Sequence, residues 1–215
     1  AAEELALERD ILLRQAELEV LGFSHDQTAG ILLKHWRLPE RLIVMVEAFN
    51  AYFVRRYLEL DINLVGFPED LGAQNGPMLS PAMFRRYIRP SYRRLMQPLR
   101  RRGKVVYMHS DGHIMELLDD LIDCGVTVIN LQDRVNGIDE IGRRCKGRIA
   151  VDLDIDRQEV TRGGSPMDVK ELIREAVVKL SSPQGGLSLV YDLYPGIPIA
   201  NVEAVMEDME EYSAP

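Results

Sequence analysis

The sequence predicts an α/β protein built on part of a (β/α)8 TIM barrel, about five βα units preceded by N-terminal helices. Three observations carry this. Five short apolar runs occur in order, at residues 62–67, 105–108, 127–131, 149–153 and 187–190. Each is followed by a stretch with helical periodicity, at 81–102, 114–124, 138–145, 166–180 and 199–212. Such alternation with short loops marks βαβ units and a parallel sheet. Each apolar run also ends in polar residues, where a barrel gathers its working groups.

Length fits one packed domain, or one plus a small appendage. The chain has 215 residues, 46% of them hydrophobic, which is enough to bury a core. A net charge of −8 argues against a nucleic-acid partner. Two cysteines, Cys124 and Cys145, form no disulfide framework and no metal knuckle. They read as small core residues in a reducing cytoplasm. No apolar run approaches the ~20 residues of a membrane span. The acidic start AAEELALERD lacks a signal peptide's basic and apolar regions. It also lacks an initiator Met, so the sequence reads as a fragment or a processed chain.

Residues 1–48 are expected to form a helical segment and residues 49–215 the partial barrel. Leu5, Leu12, Ala16 and the apolar run 18–21 predict a helix that Gly22 ends. Ser24 is placed to cap a second helix over 26–36, and Pro39 to open a third over about 40–60. The segment LGFSHDQTAGILLKHWRLPERL resembles the closing helices of HDOD and HD signalling domains. The likeness rests on His25, Gly30, Leu32, Leu33, Trp36, Leu38 and Pro39. The metal-binding dyad of the HD family is absent, so the resemblance implies helical packing, with His25 and His35 structural or exposed.

The central stretch is KVVYMHSDGHIMELL, residues 104–118. Val105 to Met108 reads as a strand buried on both faces. His109, Ser110, Asp111 and Gly112 then turn the chain, and Ile114, Leu117, Leu118 and Leu121 make a helical stripe. The other strand ends carry Glu69, Asp70 and Gln74; Asn130, Gln132 and Asp133; Asp152, Asp154 and Asp156; and Tyr191, Asp192 and Tyr194. Any one of these could merely cap the following helix. Five in succession predict a pocket at the carboxyl face. Ser80-Pro81 and Ser165-Pro166 are helix N-cap and first-turn pairs. The basic run from Arg85 to Lys104 reads as a solvated outer helix, or alternatively as a site for an anionic partner.

Four ordered pieces resemble the uroporphyrinogen decarboxylase superfamily, which includes the cobamide-dependent methyltransferases. They are LVGFPEDLGAQNGPMLSPAMFRRYIRPSYRRL, VVYMHSDGHIMELLDDLIDCGVTVINLQ, GRIAVDLDID and GGLSLVYDLYPGIPIANVEAVME. The likeness covers residues from about 40 to 213, the C-terminal part of that family's barrel. It implies a (β/α)8 fold with its site at the carboxyl face. In the methyltransferases a His-x-Cys pair and a later Cys hold zinc. Here His109 matches the His, Asp111 stands at the first Cys position, and Tyr191 or Asp192 at the second. The histidine that true decarboxylases carry near Tyr191 has no counterpart, nor has their N-terminal arginine and aspartate motif.

The resemblance implies an enzyme, decarboxylase-like or corrinoid/thiol methyltransferase-like, acting on a small or tetrapyrrole-linked substrate. The expected catalytic groups are His109, Asp111 and Asp70, with Asp152, Asp154, Gln132, Asp192 and Tyr191 binding substrate. A divalent metal, if held, would use His109, Asp111 and Asp192, a harder ligand set than thiolates. The expected partners are a small molecule, a tetrapyrrole or corrinoid protein, and a second copy of the chain. Five strands are too few to close an eight-stranded barrel. The chain is therefore a fragment, a fusion of helices with a partial barrel, or a half-barrel that dimerises. The alternative to an enzyme is a degenerate barrel serving as an interaction module.

Overall fold

The structure is a computed structural model and describes residues 40–213. The expected helices over 1–21 and 26–36, and the seven residues that carry the HD-like resemblance, lie outside those residues. Compactness divides the chain between Tyr52 and Phe53. This division falls within helix α1, Glu40–Glu59. Asp61, at a positive φ of 53°, turns the chain out of α1, and its carboxylate takes the Lys104 ammonium at 2.5 Å.

The unit from Phe53 onward is a five-stranded parallel sheet flanked by helices. Strand β1 is Leu64–Pro68, and a small antiparallel hairpin follows, β2 Gly72–Ala73 with β3 Gly76–Pro77. Then come α2 (Pro81–Met83), a π-helical turn (Phe84–Ile88) and α3 (Arg89–Arg101). Strand β4 is Val105–His109, followed by α4 (Leu118–Cys124) and β5 (Val128–Gln132). Helices α5 (Asp133–Asn136) and α6 (Ile138–Cys145) lead to β6, Ala150–Asp154. The chain continues through α7 (Val160–Gly163), α8 (Pro166–Leu180), β7 (Leu187–Val190) and α9 (Ile199–Ser213).

The strands lie in the order β1-β4-β5-β6-β7, every pair parallel. Chain order and spatial order coincide, which is how the wall of a (β/α)8 barrel is laid down. The expected partial barrel is present, with strand bounds within about two residues of the apolar runs.

Local chemistry explains the ends of the helices. Ser80 Oγ accepts the Met83 N–H at 3.3 Å, and Ser165 forms a full capping box with Asp168. The π turn closes through the Arg89 N–H to the Phe84 carbonyl, one residue wider than an α turn. It precedes Pro90, whose ring would collide with the carbonyl of the preceding α turn. Asn201, 1% exposed, donates to the carbonyls of Thr161 and Gly164, which ties α9 to α7 and to the loop before α8. That accounts for the Pro-x-x-Asn start of α9.

The two faces of the sheet differ in kind. Register aligns Val65 with Val106, Phe67 with Met108, Met108 with Ile129 and Ile129 with Val151. This face also carries Leu131 and Leu153, and from β4 to β6 it is buried under helices. The opposite face carries Tyr107, His109, Asn130, Gln132, Asp152, Asp154 and Ser188. The expectation that Val105 to Met108 is buried on both faces is therefore corrected. Tyr107 is half-buried on the polar face, where its hydroxyl donates to Asp152 Oδ2 at 2.8 Å.

The first part of the basic run, in the π turn and the start of α3, is matched by α4. Arg85 bonds Asp120 at 2.8 Å, and Arg89 and Arg93 both reach Asp123. Cys124 and Cys145 are buried and free, as expected of core residues. Among the described residues no helix is long and apolar enough to cross a membrane.

Candidate functional site at the carboxyl ends of the strands

Two loops are zipped together above β1 and β4. The Glu69 N–H donates to the His109 carbonyl at 3.0 Å and the Leu71 N–H to Ser110 Oγ at 3.0 Å. The His113 N–H donates to the Ala73 carbonyl at 2.8 Å. At the crossing the chains meet glycine to glycine. A Cβ on Gly112, whose φ is +77°, would sit 2.3 Å from the Gly72 backbone, and one on Gly72 would sit 2.5 Å from Gly112. Only two bare backbones can pass this closely. Gln132 and Asn136 support the turn from below. Gln132 Oε1 accepts the Gly112 N–H and Asn136 Oδ1 the Ile114 N–H, both at 2.9 Å.

This zip brings Asp70 to His109 and Asp111. One ligand-type atom from each of the three lies within 4.8 Å of the others. His109 Nε2 stands 3.6 Å from Asp70 Oδ1 and 3.9 Å from Asp111 Oδ1. The Asp111 N–H donates to Asp70 Oδ1 at 3.3 Å. All three side chains are partly open to solvent, so a ligand can reach them.

A polar row runs back across the sheet from His109. Its Nδ1 meets Asn130 Oδ1 at 2.5 Å. The Asn130 Nδ2 donates to the Asp152 carbonyl at 2.8 Å. Asp152 also accepts from Tyr107 and from the Ser188 hydroxyl, at 2.8 and 2.5 Å. Burial, then the bond to Asp152, raises the Tyr107 phenol's pKa.

Arg157 closes the other side. Its guanidinium bonds Asp111 at 3.0 Å to both oxygens, pairs with Asp154, and lies over the Tyr194 ring at 5.1 Å. Asp154 is 5% exposed, and its Oδ1 has no hydrogen-bond partner. Burial pushes its carboxyl up to about 6; Arg157 opposes this and the charges of Asp111 and Asp192 add to it. Burial likewise raises Asp133 to about 7, against the N–H bonds it takes from Arg134 and Asp156.

The structure thus brings Asp70, His109 and Asp111 together, with Asp152 one residue pair away through Asn130. It does not bring Asp192 into the group that could share an ion. Asp192 is exposed and acts on Asp154 through charge alone. Of the expected set of His109, Asp111 and Asp192, the first two converge, and the donor beside them is Asp70, because the loop zip delivers it. Gln132 is committed to the Gly112 turn, and the buried Tyr191 hydroxyl has no partner. Asp156 caps the start of α7, accepting from Glu159 and Val160. Arg157 and Asn130's bridging role were not foreseen. An arginine closing the run Asp152-x-Asp154-x-Asp156 was the available signal.

The chain matches the family model for uroporphyrinogen decarboxylase over residues 24–212. The chain belongs to the uroporphyrinogen decarboxylase family. Two relatives described as uroporphyrinogen decarboxylase, from two strains of Thermus thermophilus, are each 30% identical over 183 residues. The match covers 82% of this chain and 50% of each relative, so the chain spans about half the length of the curated relatives it matches. Among solved structures, a methyltransferase from Methanosarcina mazei superposes with a TM-score of 0.57 at 15% identity, covering 99% of this chain and 53% of that one. That likeness shows the shared barrel fold.

A thiolate zinc site of the methyltransferase kind does not fit the described residues of this family member. Both cysteines are buried away from the cluster, Cys124 against the Arg89 carbonyl, and burial pushes both thiols up to about 11. The donors that do converge are one imidazole and two carboxylates, which suit a harder cation.

Proposed function

We propose that the chain forms the carboxyl-face site of an enzyme of its family, decarboxylase-like or methyltransferase-like. Its substrate would be a small or tetrapyrrole-linked molecule, with a corrinoid protein as the partner in the methyltransferase-like case. The observation that carries this reading is the convergence of Asp70, His109 and Asp111 at the strand ends. His109 would serve as acid–base group or as ligand through Nε2. Asp70 and Asp111 would hold a proton-bearing or cationic part of the substrate, or share with His109 a divalent cation that supplies positive charge there. Arg157 would hold Asp111 in place while offsetting part of the site's negative charge. The buried free cysteines and the family suit a cytoplasmic setting.

The test is a pair of assays on the purified chain: carbon dioxide release from uroporphyrinogen, and methyl transfer from a methylcobamide to a thiol. Either activity, lost in His109→Ala, supports the reading. Activity retained in His109→Ala contradicts the assignment of the site. Absence of both activities contradicts the enzyme and favours the interaction module.

A further inference from the structure

Which ring nitrogen of His109 carries the proton follows from its neighbours across the sheet. The Asp152 main-chain carbonyl can only accept, so the Asn130 group 2.8 Å from it must be the NH₂. The amide oxygen of Asn130 then faces His109 Nδ1 at 2.5 Å. An oxygen lone pair at that distance requires a hydrogen on Nδ1. The reverse amide orientation would set Oδ1 against both the Asp152 carbonyl and, at 3.4 Å, its carboxylate. Asn130 is 5% exposed, so water does not compete for these bonds. Tyr107 and Ser188 donate to the two Asp152 oxygens, which holds the far end of the row.

We propose that Asn130 is a positioning residue for this site. Its amide, oriented by the Asp152 carbonyl, locks the neutral His109 ring in the Nδ1–H form and presents a bare Nε2 to Asp70 and Asp111. The inference rests on the reading of His109 as the working group and deepens it. Nε2 and the two carboxylate oxygens nearest it are then all acceptors, at 3.6 and 3.9 Å from the nitrogen. Three converging acceptors select a ligand that brings positive charge or N–H and O–H groups, and they repel a bare anion. The class of ligand at this point of the site is therefore cationic or proton-donating.

The tautomer is read directly by long-range proton–nitrogen correlation on the full chain with ¹⁵N-labelled histidine, at a pH where the ring is neutral. The His109 signals are identified by their loss in His109→Gln. The wild type is expected to show a protonated Nδ1 and a bare Nε2, in a preference of about tenfold or more, the worth of one well-made buried hydrogen bond. Asn130→Ala is expected to release the ring into exchange between the two forms. Asp152→Ala should leave the Nδ1–H form intact, because the main-chain carbonyl that orients Asn130 remains. An Nε2–H ring in the wild type overturns the proposal without any variant. So does an unchanged Nδ1–H ring in Asn130→Ala, or release of the ring in Asp152→Ala. The spectrum needs no turnover: the expected tautomer in a chain with neither assayed activity would sink the functional reading and leave this inference standing.

Discussion

One sheet carries two chemistries. On the helix-covered face, Val106, Met108, Ile129, Leu131, Val151 and Leu153 are at most 4% exposed and have no side-chain hydrogen bonds to make. On the other face, alternate residues of the same strands form a hydrogen-bonded row from Tyr107 and Ser188 through Asp152 and Asn130 to His109. The first face tolerates exchanges among apolar residues that conserve volume, usually at less than about 1.5 kcal/mol each. The second depends on donors meeting acceptors at specific positions, so a single swap leaves a buried group unpaired. The first determines that a barrel wall forms. The second determines what the wall presents to a ligand.

Four substitutions press on this contrast, in descending order of effect. Gly112→Ala places a Cβ within 2.3 Å of the Gly72 backbone at a positive φ. The loops must part, at a cost of about 4 kcal/mol, and Asp70 leaves His109. Denaturant unfolding gives the first effect and loss of ligand binding the second. Leu131→Ala, on the apolar face, should cost about 3 kcal/mol, the usual range for a buried leucine. It should leave the His109 tautomer untouched, which separates the two faces experimentally.

The third concerns Asp154, whose folded-state carboxyl lies at about 6 against an ordinary 3.8. A raised pKa means that the folded chain binds the proton more tightly than the unfolded chain. This contribution to stability is fully present below about 3.8 and is lost as pH rises through about 6. Asp154→Asn removes the titrating group, so melting temperature should fall less between pH 4 and pH 7 than in the wild type. The difference is at most about 3 kcal/mol. Equal slopes would mean that Arg157 holds Asp154 ionised throughout. The smallest effect is expected of Asn130→Ala, about 1–2 kcal/mol of stability, with a far larger change in the state of the His109 ring.

Much of the apolar face was legible in the sequence. Runs such as 105–108 and 149–153 are marked by composition alone, and Ser80-Pro81 and Ser165-Pro166 mark helix starts through chemistry that is local in the chain. The polar face was legible only in part. His109, Asp111 and Asp70 stand at strand ends, where barrel geometry says to look. Their partnerships do not announce themselves, because Asn130 meets His109, Asp152 meets Asn130 and Arg157 meets Asp111 through register and loop geometry between different strands. Tyr107 was hidden inside an apolar run, since a tyrosine there reads as core until its hydroxyl is seen to reach Asp152. The hairpin Gly72–Pro77 is too short for any periodic signal, yet it delivers Asp70 to the site.

If Asp70, His109 and Asp111 act as one cation-binding site on the polar face, without Asp192, calorimetric titration of the chelator-treated chain with Mn²⁺ reads it out. One saturable site per chain is expected, weakened about tenfold or more by Asp70→Ala and by His109→Ala and unaffected by Asp192→Ala. Binding that survives His109→Ala but falls in Asp192→Ala would contradict the grouping, and no saturable binding in the wild type would contradict its use for a cation.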